Sequence, residues 1–232
     1  CSASGATTPP TSEAASEGRE AGASRDRSPD VYFRPRRSGP VRRFSAEYLE
    51  HTRRGMWEDG RDALTDLELA SRERVLDVGC GTGELTRVLA AEADATRAGE
   101  ARGADATVIG VDADPELLSV AREAERETEA SGRIDYLAGD ATRLPVGDDV
   151  VDLAVCQALL INLPDPAAAV RELVRVSSDL VAAVEPDNAD VRVASTVEAE
   201  ERLEREAREA YVDGVETDIA LGGRVRGAFD AA

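Results

Sequence analysis

The chain has 232 residues, enough for one folded domain with a real core plus unstructured sequence, and too few for two large domains. Acidic residues outnumber basic ones 47 to 28, the formal net charge is -19 and the sequence contains no lysine, so no broad cationic face exists for a phosphate backbone and a nucleic-acid partner is disfavoured. Cys1, Cys80 and Cys156 are widely spaced, His51 is the only histidine, and no apolar run approaches the ~18 residues of a membrane span. These counts predict reduced thiols, a cytoplasmic setting, no metal site and no membrane segment.

Residues 1–39 are mostly Ser, Ala, Gly, Thr, Pro, Arg and Glu. They cannot bury enough apolar surface to offset the entropy of ordering, and a disordered tail is predicted, with the domain at 40–232. Cys1 stands where an initiator Met would, which reads as a trimmed chain rather than a lipid-modified terminus. The basic run "RPRRSGPVRR" at 34–43 reads as a solvated hinge into the domain. "FSAEYLEHTRRGMW", Phe44 to Trp57, predicts a helix with Phe44, Tyr48 and His51 on one face; that face packs on the core or closes over a bound small molecule.

Strand and helix then alternate. Strands are predicted at Arg74–Val78, Thr107–Val111, Ile134–Leu137, Val150–Val155 and Leu180–Val184. A helix is predicted from Glu84 to Ala93, with a loop over 94–106. Two further helices open on an Asp cap with Pro in the first turn, Asp114–Pro115 and Asp165–Pro166. Short continuous apolar strands separated by helices predict an α/β fold, a doubly wound, Rossmann-like parallel sheet covered on both faces. The charged stretch "STVEAEERLEREAREAYVDG" reads as an exposed helix laced by i,i+4 pairs, and another helix begins before Ala232.

The chemistry sits in "ERVLDVGCGTGELTRVLA", Glu73 to Ala90. Gly79, Gly81 and Gly83 remove side chains from a strand-to-helix turn and let a ligand approach the main chain. The spacing is GxGxG followed by Glu84, so the GxGxxG dinucleotide fingerprint is not met. "VLDVGCGTGELT" resembles motif I of class I S-adenosylmethionine-dependent methyltransferases, and "VVDLAVCQALLINLPDP" resembles the segment after the fourth strand in the ubiquinone/menaquinone-biosynthesis type.

The resemblance implies S-adenosylmethionine as cofactor, held in the half spanning 73–166. Asp77 would orient the glycine turn and the cofactor's amino group, and Gly79, Cys80, Gly81 and Gly83 would form the turn beneath its methionine part, the Cys80 thiol packing away. Asp112, with Ala113 beside it, would accept from both ribose hydroxyls, a bidentate acceptor matching a vicinal diol. Asp140 and Ala141 in "YLAGDATRLP" would read the adenine, with Leu117 or Leu118 on its face, while Gln157 would lie beside the methyl group next to a buried Cys156.

The implied function is methyl transfer to a small-molecule acceptor. RNA or protein as acceptor, a non-catalytic cofactor-binding module and a nicotinamide oxidoreductase are the alternatives. No Asn/Asp-Pro-Pro-aromatic motif follows the fourth strand, and Cys156 lacks the neighbours of a nucleophilic RNA-modifying cysteine. Tyr48, His51 and Glu185 are the candidates for a base. The antiparallel hairpin that completes the sheet in this family has no counterpart in the sequence, which predicts a truncated chain. The acidic, lysine-free composition resembles proteins of salt-loving archaea and implies a halophilic source; a GC-rich genome with an acidic tail is the alternative.

Overall fold

The computed structural model describes residues 43–53, 55–97, 106–128, 133–188, 190–191 and 193–230. The predicted tail at 1–39 and nearly all of the basic run lie outside them. Five strands form one parallel sheet in the order β3-β2-β1-β4-β5: β1 is Arg74–Val78, β2 Thr107–Asp112, β3 Arg133–Ala138, β4 Val151–Gln157 and β5 Ser177–Val184. The helices are α1 (Ala46–Arg53), α2 (Glu84–Arg97), α3 (Pro115–Glu127), α4 (Pro166–Val176), α5 (Glu198–Gly214) and α6 (Val225–Asp230).

The period-2 alternation of the strands builds two cores. Val75 on β1 and Leu153 and Val155 on β4 pack with Leu85 and Leu89 of α2 and Leu118 and Ala121 of α3. On the opposite face Leu76, Val78, Ala154 and Cys156 pack with Val170 and Leu173 of α4 and Ala228 of α6. Leu76, Leu89, Leu153 and Leu173 are fully withdrawn from solvent, each contributing on the order of 2 kcal/mol. Val151 joins the α4 side although Leu153 faces α2, because a register shift between them interrupts the alternation. No helix among the described residues is long and apolar enough to cross a membrane.

Both predicted caps form: Asp114 accepts from the Glu116 N–H at 2.9 Å, and Asp165 from the Ala168 N–H at 3.1 Å. On α5, Glu204 pairs with Arg208 at 3.2 Å and Arg202 with Glu206 at 3.9 Å.

Beyond shifts of one or two residues at the ends of β2, β3 and β4, three boundaries differ from the sequence expectation. α1 ends at Arg53, short of Trp57, because Gly55 takes a left-handed φ of 73° and turns the chain. Its buried residue is Leu49, whereas Tyr48 and His51 are exposed. α2 continues to Arg97, four residues into the expected loop, since "DATR" contains no breaker. β5 begins at Ser177, directly after α4, because Ser177 pairs with Val151 and the Ser178 hydroxyl donates to the Val151 carbonyl at 3.1 Å.

Candidate functional site

In a doubly wound sheet, ligands bind beyond the carboxyl ends of the strands, where the strand order reverses. Here that point lies between β1 and β4. A cavity of about 320 Å³ opens there, lined by the glycine turn after β1, the ends of β2 and β3, the segment after β4, and α1. Gly79, Gly81, Asp112, Ala113, Asp140 and Ala141 all line it. Asp77, Cys80, Gly83 and Gln157 do not.

The turn satisfies most of its own donors. The N–H groups of Gly79 and Cys80 both donate to the Val111 carbonyl, at 2.7 and 3.0 Å, and that of Gly83 donates to the Cys80 carbonyl at 2.8 Å. The Gly81 N–H donates to Asp112 Oδ2 at 2.9 Å, and the Asp114 N–H to Asp112 Oδ1 at 2.8 Å. Each Asp112 oxygen therefore keeps a lone pair beyond its main-chain partner. Burial raises the Asp112 carboxyl above its usual range, with the two amide donors opposing.

The glycines at 79 and 81 also serve the protein's own packing. Both take positive φ, 74° and 56°, and a Cβ would stand 2.8 Å from Leu159 Cδ1 at Gly79 and 3.1 Å from Leu49 Cδ1 at Gly81. Two leucines thus rest on a bend that the sequence alone suggests is bare main chain. At the far end, Asp140 Oδ1 accepts from the Thr142 N–H and Oγ1, both at 2.8 Å, which turns the chain so that Ala141 faces the cavity.

That loop is latched from α4. The Leu144 N–H donates to Glu172 at 2.7 Å, and Arg175 grips Glu172 with Nε and NH2 while reaching the carbonyls of Leu144 and Val146 and the Asp148 carboxylate. Leu117 lines the cavity, whereas Leu118 faces the core.

The four residues off the lining have other work. Gln157 shares the strand parity of Leu153 and Val155, so it is buried on the α2 side, where its Nε2 donates to Met56 Sδ at 2.8 Å. The Cys80 side chain joins the core on the α2 face, and Cys156 is fully buried on the other. At Gly83 a Cβ would meet Tyr136 Oη at 2.5 Å, so its absence brings the start of α2 against β3.

Asp77 is buried and accepts from Thr86 Oγ1 at 2.6 Å, tying β1 to α2. Desolvation pushes its pKa up to about 6 from 3.8, with Thr86 opposing. Between about pH 4 and 6 the folded chain keeps a proton that the unfolded chain releases. Stability therefore falls as pH rises through that window and is level above it, a loss on the order of 3 kcal/mol. Asp77→Asn is expected to melt higher than the parent at pH 7.5, with the gain vanishing near pH 4. A melting difference that is the same at both pH values would refute the assignment.

Of the base candidates, Tyr48 and His51 are exposed and absent from the lining. Glu185 is committed to structure: its carboxylate accepts the N–H groups of Leu159, Leu160 and Ile161 at 2.9, 2.9 and 3.3 Å, fixing the segment that carries Leu159, Asn162 and Leu163 to the cavity. Those three residues, together with Leu49 and Arg53 of α1, are lining residues that motif reading passes over. The apolar run "ALLINLP" at the mouth of a predicted ligand crevice was the one available signal for the first three.

Comparison with known proteins agrees with this fold. Residues 76–179 match the model of a family described as a methyltransferase domain. A demethylmenaquinone methyltransferase of Lactiplantibacillus plantarum is 35% identical over 116 residues, covering 50% of this chain and 45% of that protein. A 2-phytyl-1,4-naphtoquinone methyltransferase of Synechococcus elongatus is 38% identical over 104 residues, covering 45% and 41%. The chain thus spans less than half the length of these relatives. A solved S-adenosylmethionine-dependent methyltransferase from Aquifex aeolicus, 19% identical, shares the fold with a TM-score of 0.53 over 74% of this chain and 88% of that one. The glycine turn and these matches together make residues 76–179 similar to a methyltransferase domain, carried on a parallel five-stranded sheet that shares the fold of a solved S-adenosylmethionine-dependent methyltransferase.

Proposed function

We propose that this protein transfers the methyl group of S-adenosylmethionine to an apolar small molecule, with a quinol-type ring as the acceptor class. The observation that carries the reading is the placing of Asp112 and Asp140 on one cavity with the glycine turn between α1 and the strand ends. The donor set suits an adenosyl group. Asp112 offers one remaining lone pair on each oxygen to a vicinal diol, Asp140 and Ala141 stand where an amine and a ring nitrogen are read, and Leu117 supplies an apolar wall.

The cofactor supplies a methyl group on a sulfonium whose positive charge is lost on transfer, so alignment and exclusion of water carry much of the rate. The chain's own part is to hold and to dry. Leu49, Leu159 and Leu163 exclude water from the turn end of the cavity, and the Glu185 carboxylate keeps the segment bearing Leu159 and Leu163 in place through its three amides. An apolar acceptor is consistent with those walls and with the quinone-type substrates in the names of the two relatives.

The same proposal sets the protein in the cytoplasm, where thiols such as Cys80 and Cys156 stay reduced, and in concentrated salt, which suits a net charge of -19. Purified protein given methyl-labelled S-adenosylmethionine and a hydroquinone with one open ring position is expected to label the ring. Label arriving only on RNA or protein in a parallel incubation would overturn the small-molecule reading.

A further inference from the structure

The charged side chains around the cavity divide by origin. The carboxylates, Asp112, Asp114 and Asp140, come from the ends of β2 and β3, while both arginines, Arg43 and Arg53, come from the N-terminal segment. Arg43 is spent at the rim, 82% exposed and 3.9 Å from Asp114. Arg53, half-buried at the end of α1, enters none of the ion pairs among the described residues. Its charge nonetheless reaches the turn, where it counters the burial of Asp77, Glu84 and Asp112.

The order of groups along the cavity follows from main-chain contacts. The Asp112 carbonyl accepts from the Gly139 N–H at 3.0 Å, next to Asp140, and the Asp112 side chain accepts from the Gly81 N–H at 2.9 Å. Asp112 is therefore the middle of the site. A ligand with its base at Asp140 and its ribose at Asp112 extends its remaining arm over Gly81, where Leu49 of α1 is 3.1 Å from the position of an added Cβ. Arg53 stands one helical turn beyond Leu49, on the same face of α1.

A guanidinium partly withdrawn from water beside apolar leucines, and in no ion pair among the described residues, is strengthened by an anion brought within hydrogen-bond reach. We infer that Arg53 is the counter-ion for the carboxylate on the amino-acid arm of the cofactor, and that this pair seats α1 over the cavity. The inference rests on the cofactor reading above.

Calorimetry with S-adenosylhomocysteine and with its decarboxylated analogue, which keeps the amine and lacks only the carboxylate, tests the pair at one fixed salt concentration. Arg53→Gln is expected to weaken S-adenosylhomocysteine about 10- to 100-fold while leaving the analogue's affinity within about twofold, and Arg53→Lys to recover part of the loss. Equal weakening of both ligands, or of neither, overturns the inference, since a merely structural Arg53 does not distinguish a carboxylate from its absence. Failure of the parent protein to bind either ligand overturns the cofactor reading itself, a distinct result.

Discussion

Asp112→Ala is expected to weaken S-adenosylhomocysteine binding by about 100-fold or more. The estimate rests on loss of two hydrogen bonds to a charged acceptor, each about 1.5–3 kcal/mol. The substitution also frees the Gly81 and Asp114 N–H groups, which the carboxylate holds at 2.9 and 2.8 Å. These amides lie at the cavity edge, where water replaces the lost acceptor, so the melting temperature is expected to fall by only a few degrees. Calorimetry and thermal melting on one preparation separate the two effects. Retained parental affinity in a folded Asp112→Ala protein would remove the ribose-site assignment. Because burial raises the Asp112 carboxyl, parental binding should also decline as acid protonates it.

Gly83→Ala is expected to act on the fold and not first on the ligand. The residue has φ of 74°, which costs an L side chain about 1–2 kcal/mol, and its Cβ would lie 2.5 Å from Tyr136 Oη and 3.1 Å from Ala121 Cβ. Overpacking adds about 1–3 kcal/mol, so a loss of roughly 2–5 kcal/mol follows. For a chain of this size that lowers the melting temperature by about 5–15 °C. Adding Tyr136→Phe removes the hydroxyl and should return part of the loss. A Gly83→Ala protein that melts with the parent would show that the turn relaxes freely.

The motif residues were legible because their signals are local. An Asp two residues before GxGxG, a Pro after an Asp and a run such as "RVLDV" each fix a backbone state within a few residues. α1 was misjudged at its end because Met56 and Trp57 continue the apolar spacing while Gly55 reverses the backbone. Gln157 illustrates a signal present but unused: two steps from Val155 it must face α2, and Ala158, with φ of 48°, then turns the chain into the cavity. Leu49 and Arg53 had no local signature. Their positions follow from how α1 and the segment after β4 pack across the strand ends, which depends on contacts far apart in sequence.

The grip of Glu172 and Arg175 on residues 144–148 means that the shape of the nucleobase side is dictated from a helix roughly thirty positions downstream. A change on α4, far from any ligand atom, reaches the base through that clamp, and either partner exchanged alone strands the other's charge against the loop's main chain. Drift at these two positions is therefore tolerable only in concert.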